Sequence, residues 1–267
     1  MRQYWAVFRI RFAAALQYRV AALGGLVCQL AWGFMAMIAF FAFYSADPAA
    51  FPMAFSQTAS YIWLQEAFIV LFAVMVWDAE IASAIEAGSI AYELVRPVDL
   101  YGRWFLQVIA NRLAGAMLRC APVLLVAFLL PAPWGLSLPP SVGQFFLFLL
   151  SAVLALGVVA AFNMLTYISV FYTLSPRGMK LVAGMIADFF AGATVPLPFF
   201  PGPLRAVAEL LPFAAMQNMP LRLYSGNIAG ADALKGILLQ VFWLAALLLL
   251  GRLCMGRALK KVIVQGG

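Results

Sequence analysis

VAALGGLVCQLAWGFMAMIAFFAFY, Val20 to Tyr44, is a run of 25 residues without a single charge. As an α-helix rising 1.5 Å per residue it exceeds the roughly 30 Å of hydrocarbon in a bilayer. It is too long for the apolar core of a usual signal peptide. Small residues follow at Ser45 and Ala46, but the chain stays apolar beyond them, which marks a retained span. Composition agrees: 66% of the 267 residues are apolar, 10% are charged, and the mean hydropathy is +0.99. Soluble domains hold roughly 45–50% apolar and about 25% charged residues, so the solvent for most of this chain is lipid.

The composition also excludes chemistry. There is no histidine, which removes His-ligated zinc and haem and Ser-His-Asp triads. Cys28, Cys120 and Cys254 stand alone in apolar surroundings and read as small hydrophobes, so no metal site is expected. A net charge of +7 need not mean nucleic acid, because excess Arg and Lys mark the cytoplasmic loops of membrane proteins.

Outward from Val20, the N-terminal residues 1–19 hold Arg2, Arg9, Arg11 and Arg19 among aromatics. On a helix, Trp5, Phe8, Phe12 and Leu16 share one face, so this segment reads as an interfacial helix or as a basic flank that sets orientation. Residues 20–267 read as one transmembrane unit, all-α, with about six spans. After the first come an external loop with Asp47, a second span over 60–77, and a third over 104–130 interrupted by Asn111, Arg112 and Arg119. The Pro-rich turn 131–141 leads to a fourth span over 142–171. A basic turn at 173–180 precedes a fifth span over 181–195, and the last covers 233–253. Between the fifth and last, residues 196–230 hold too many prolines to cross as one helix. They read as an external re-entrant or surface-lying pair of short helices, Ala206–Leu211 and Phe213–Met219. Broken backbone at that depth needs protein or a water-lined cavity around it.

An even number of spans puts both termini on one side. Fourteen of the seventeen Lys and Arg residues then fall on that side, against Arg205, Arg222 and Lys235 on the other, which predicts cytoplasmic termini. On the same side lies DAEIASAIEAGSIAYELVRPVDL, Asp78 to Leu100, the longest polar interruption. It carries Asp78, Glu80, Glu86, Glu93 and Asp99, half of the ten acidic residues.

Six spans, an acidic cytoplasmic element between the second and third, and a Pro-broken external hairpin before the sixth together resemble the type 2 ATP-binding-cassette (ABC) exporter permeases. The local match is Ile85-Glu86-Ala87-Gly88-Ser89-Ile90 running into Leu94-Val95-Arg96-Pro97, similar to a Gly…Leu-x-Arg-Pro loop. A second is Pro196-Leu197-Pro198-Phe199-Phe200-Pro201 with Leu210-Leu211-Pro212-Phe213. The resemblance implies a permease subunit of a bacterial inner-membrane exporter, working as a homo- or heterodimer. It also implies an outer gate around Phe199, Phe200, Pro201 and Pro212, and an ABC ATPase partner that carries ATP and Mg. The chain itself has no GxxxxGK[ST] loop to cradle phosphates and no catalytic residues are expected on it. Ala79 to Ala87 would be the coupling helix that docks into the ATPase. Ile81 and Ile85 fall on one face, Glu80, Ser83 and Glu86 on others; Gly88 would end it in a left-handed cap, Pro97 would stop the next segment, and Arg96 would pair with a carboxylate.

Ionisable residues inside spans are costly unless paired or wet. Glu66, Arg119 and Asp188 are of this kind. Asp188 lies between Gly184 and Gly192 on a small-residue face that lets another helix approach. Either Asp188 pairs with Arg119 and locks the third span to the fifth, or Asp188 and Glu66 face the substrate path and meet a cationic cargo. An ion-coupled secondary transporter using these three residues, and a non-transporting membrane scaffold, are the alternative readings. Cargo is not legible from the residues.

Overall fold

A computed structural model of the chain describes residues 2–17, 19–95, 98–173 and 175–260. Among them there is no strand, and the molecule is a bundle of helices. In chain order these are α1 (Arg2–Ala15), α2 (Arg19–Ala46), α3 (Phe55–Ala67), α4 (Ile69–Phe72), α5 (Ala79–Glu86) and α6 (Ile90–Leu94). Then follow α7 (Leu100–Leu129), α8 (Val142–Thr173), α9 (Pro176–Phe190), a 3-10 turn at Leu197–Phe199, α10 (Gly202–Leu210), α11 (Asn218–Tyr224) and α12 (Gly230–Leu259). Among the described residues, four stretches are long and apolar enough to cross a membrane: Leu23–Ala46, Leu100–Leu129, Val142–Thr173 and Gly230–Leu259. The protein is a polytopic membrane protein.

The second and fifth expected spans have a different build. In place of one helix over 60–77, α3 and α4 are separated by a break at Phe68, and the chain runs irregularly from Ala73 to Asp78. The fifth begins earlier than expected, because Ser175 caps the Gly178 N–H and Pro176 supplies a ready-made first helical residue. It also ends earlier. Gly192, at φ 77°, closes it with the bonds Gly192 N–H to Phe189 O (3.2 Å) and Ala193 N–H to Asp188 O (2.9 Å), a Schellman stop.

Expected helices in the Pro-rich region also move. The first starts at Gly202, with Pro203 in its opening turn, and the second at Asn218, with Pro220 in its opening turn. Residues 213–217, expected as helix, form turns. A proline missing its N–H is tolerated where a helix begins, so Pro220 marks a start and not an interruption.

α8 is the most enclosed long helix. Ala155, Ala160 and Ala161 on it are fully buried, and Gly157 lets Leu244 of α12 approach its backbone. Small residues at the contact suit lipid, where close packing replaces the hydrophobic effect as the force between helices. α1 packs lengthwise along the first turns of α7, with Tyr4 against Gly102 and the stacked rings Trp5, Phe8 and Phe12 along it.

The two ends of the bundle are distinct. At one end, loops 47–54 and 131–141 meet residues 196–229: Phe51 packs on Phe199, Trp63 Nε1 donates to Trp134 O, and Gln144 Nε2 donates to Ile228 O. At the other end, α5 and α6 sit with the start of α7 and the end of α8, and Tyr101 lies against Gly251 of α12.

Candidate functional site

α5 is built as the sequence suggests and is fastened more firmly than expected. The Asp78 carboxylate caps it, accepting from the Glu80 N–H (3.0 Å) and the Ile81 N–H (3.4 Å). The same carboxylate accepts from Gln107 Nε2 (2.9 Å) and Asn111 Nδ2 (2.8 Å) of α7, and the Asp78 N–H donates to the Tyr167 hydroxyl of α8 (2.7 Å). The helix ends at Glu86, with Gly88 in the left-handed region at φ 67°. Ile81 and Ile85 are 1% and 5% exposed, packed in a cluster with Trp104, Met164 and Tyr167 of the same chain. This corrects their expected role as docking contacts: they anchor the helix, each contributing about 2 kcal/mol by burial. Glu86 and Ser83 point outward. Glu80 is exposed but engaged, in an ion pair with Arg11 of α1. Glu93 of α6 pairs with Arg103 of α7. Arg96 and Pro97 lie outside the described residues.

Above α5, the irregular stretch exposes carbonyls that no helix satisfies. Arg112, 1% exposed, fills that need. Its Nη1 donates to Val70 O (3.0 Å) and Leu71 O (2.9 Å), and its Nη2 to Ala73 O (3.0 Å) and Val76 O (2.8 Å). Asn163 Nδ2 of α8 adds a bond to Val76 O (3.2 Å). A guanidinium at the end of α4 also complements the negative pole of that helix. Read along the sequence, Arg112 only interrupts a span; its function as a clamp needs the break at Phe72, which the sequence conceals. The available signal was the polar face Gln107, Asn111, Arg112 at helical spacing on an otherwise apolar segment.

Glu66, Arg119 and Asp188 come together, but not as a pair. They line one cavity of about 850 Å³ between α2, α3, α7 and α9. Among the described residues no ion pair joins Arg119 to Asp188, which corrects the expected lock between the third and fifth spans. The Arg119 guanidinium lies across Gly25 of α2, where an added Cβ would sit 2.7 Å from it. Asp188 faces the Val74 backbone N–H and the charge of Arg112. The small-residue face of α9 does receive a neighbour. It is the broken segment and not α7: Gly184 is met by Met75, and Gly192 by the Tyr61 hydroxyl.

At the opposite end, the expected gate residues are stapled by aromatic contacts. Phe199 packs on Phe40 (ring centroids 5.0 Å) and Phe51 (4.8 Å), and Phe200 on Phe189 (5.2 Å). Pro201 precedes α10, and Pro212 lies half-buried in the turn after it. The broken backbone there is met by neutral side chains. Gln65 Nε2 donates to Ala193 O (2.6 Å), Gln240 Nε2 to Ala215 O (2.9 Å), and Trp243 Nε1 to Leu210 O (3.0 Å); Gln240 Nε2 also donates to Ser151 O of α8 (3.1 Å). Glu209 pairs with Arg205 (2.9 Å) and Arg222 (2.6 Å) at the rim. Burial pushes the Glu209 carboxyl up, but the bonds and charges of Arg205 and Arg222 outweigh it and hold the carboxyl below its ordinary value. Among the described residues no three metal-ligating side chains gather.

A search of curated proteins returned no match. The family model described as ABC-2 family transporter protein matches residues 30–266, which takes in α3 to α12 and all of the cavity lining but Gly25, Cys28 and Gln29. The chain belongs to the ABC-2 family of transporter proteins.

Proposed function

We propose that this permease component of an ABC transporter drives export, with a separate ATPase bound at the α5 end and a second permease copy completing the path. The membrane subunits of this family have no nucleotide site of their own, so ATP and Mg belong to the partner. The carrying observation is the fastening of α5. A helix whose Glu86 and Ser83 face outward is joined through Asp78 to α7 and α8, and Asp78 continues directly into the stretch held by Arg112. A push on α5 therefore reaches α4 and α3, and through them Glu66 at the cavity wall. Closure of two attached ATPases would move two such handles and alternate the path between the two faces of the membrane by rigid-body displacement. In this reading α5 and both termini lie in the cytoplasm of a bacterial inner membrane, supported by the fourteen of seventeen Lys and Arg residues that then fall on the inner side.

Two measurements test this reading. The full chain, solubilised in mild detergent, co-purifies with a soluble ATPase. Transport in proteoliposomes follows ATP and is indifferent to an ion gradient. An ion-coupled transporter is the second reading, favoured by the grouping of Glu66, Asp188 and Arg119 in one cavity. Transport collapsed by dissipating the gradient while ATP is present would select it.

A further inference from the structure

The cavity between α2, α3, α7 and α9 carries a chemical signature. Glu66 is 6% exposed, about three turns into the α3–α4 segment, with no hydrogen bond or ion pair to its carboxylate among the described residues. Only its backbone carbonyl is engaged, accepting from Gln29 Nε2 (2.8 Å). Gln29 is itself 4% exposed, and its Oε1 is buried without a donor. Asp188 adds a second carboxylate to the same wall. A buried acceptor left without a donor costs free energy, more so when charged, so Gln29 Oε1 and the Glu66 carboxylate call for donors, whereas Asp188 already faces the Val74 N–H.

The one cationic side chain lining the cavity with them is Arg119, whose Nε is buried and unbonded, while the Gln65 and Gln217 amides there already donate to Ala193 O and Gln65 Oε1. Among the charged residues lining the cavity two carboxylates stand with one guanidinium, and the charge of Arg112 lies behind Asp188 and not behind Glu66. Most of the remaining lining is apolar and aromatic, with Trp32 and Phe40 on α2, and Gln65, Thr194 and Gln217 are its other polar members. Trp32 is 63% exposed, so the cavity opens sideways past α2 and not only toward an end of the bundle. A volume of about 850 Å³ suits a whole small molecule.

We propose that this cavity binds amphipathic organic cations bearing N–H donors. The protonated nitrogen sits at Glu66 and Gln29 Oε1 with Asp188 in support, and the apolar body lies against Trp32 and Phe40. A cation on the aromatic faces gains further attraction where water is excluded. Arg119 takes an acceptor atom of the same molecule, such as a carbonyl. That the bound molecule is cargo rests on the permease reading; binding itself does not.

The test is equilibrium binding to the full chain in lipid nanodiscs, without ATP or ATPase, with partition into empty nanodiscs subtracted. The probes are rhodamine 6G, a cationic amine dye, and fluorescein, an anionic dye on the same ring system. Wild type binds rhodamine 6G roughly ten-fold or more tighter than fluorescein, the scale of one charge-assisted hydrogen bond. Glu66→Gln and Asp188→Asn each weaken rhodamine 6G by a similar factor without weakening fluorescein. Absence of a preference in wild type, or rhodamine 6G affinity unchanged in both carboxylate variants, overturns the proposal. If the variants fail to insert, the wild-type comparison alone decides. Because no nucleotide or ATPase is present, a negative result leaves the permease reading standing. A positive result without ATP-driven transport leaves the site standing.

Discussion

Two breaks in the backbone of an apolar bundle are repaired in different ways. The stretch after α4 is held chiefly by one cation, Arg112, which meets carbonyls at four positions between residues 70 and 76, with Asn163 sharing the last of them. The turns between residues 191 and 217 are held by separate neutral donors, Gln65, Gln240 and, at Leu210, Trp243. The difference follows from the backbone. A helix end presents its orphaned carbonyls close together, all acceptors and all at a negative pole, so a single guanidinium fork can reach them. A hairpin of turns scatters its carbonyls, so several amides are needed. The first repair concentrates stability in one residue; the second spreads it. The first repair also lies between α5 and the cavity wall, on the route by which the proposed mechanism would pass movement.

That contrast can be broken by substitution. Arg112→Met removes four hydrogen bonds, leaving Ala73 O to the Val76 N–H and Val76 O to Asn163, and should cost about 3–5 kcal/mol, as when one partner of a buried charged network is removed. Thermal unfolding of the purified protein checks it; Arg112→Lys should recover only part, since an ammonium lacks the planar fork. Next in size is Asp78→Ala, which removes the cap of α5 and the acceptor for Gln107 and Asn111. A loss of about 2 kcal/mol is expected, with increased protease cutting between α4 and α7 as the readout. Gln240→Leu should cost about 1 kcal/mol, because its hairpin bond is one among several; a loss as large as that of Arg112→Met would erase the contrast. The smallest effect is at Glu209. Its folded carboxyl is held below the ordinary value, so its pairing contributes stability above the unfolded value of about 4.3. That contribution fades as pH falls through the lower folded value. Glu209→Gln should remove this slight acid dependence of unfolding and little else, since the pair is partly exposed.

Much of this was legible in the chain, for stated reasons. The 25-residue run from Val20 needs only length and apolarity to be read as a span. The α5 helix is local chemistry: Asp78 as cap, Gly88 as stop, and apolar residues at i and i+4 between them. What the residues around Ile81 could not tell was which side the apolar face would meet, since an amphipathic helix at a membrane surface can dock inward or outward. Tyr167 and Met164, some eighty residues away, answered that. The Arg119–Asp188 pairing failed for a similar reason. Opposite charges in two apolar spans suggest each other, but α9 packs its glycines on Met75 and Tyr61 of the broken segment, and Arg119 lies across Gly25 instead. The break at Phe68 and the early stop at Phe72 carry no proline or glycine to announce them. They exist because α7 and α8 bring Arg112 and Asn163 to the freed carbonyls, a tertiary cause with no local trace.

The most direct test of the handle uses Glu86, which is exposed and takes no part in the fastening of α5. The measurement is retention of the partner ATPase by Glu86→Arg and wild-type protein from the same membranes, with insertion monitored in parallel. The account predicts that the variant inserts and unfolds like wild type but loses the ATPase. Equal retention by both would contradict it and place the coupling surface away from α5.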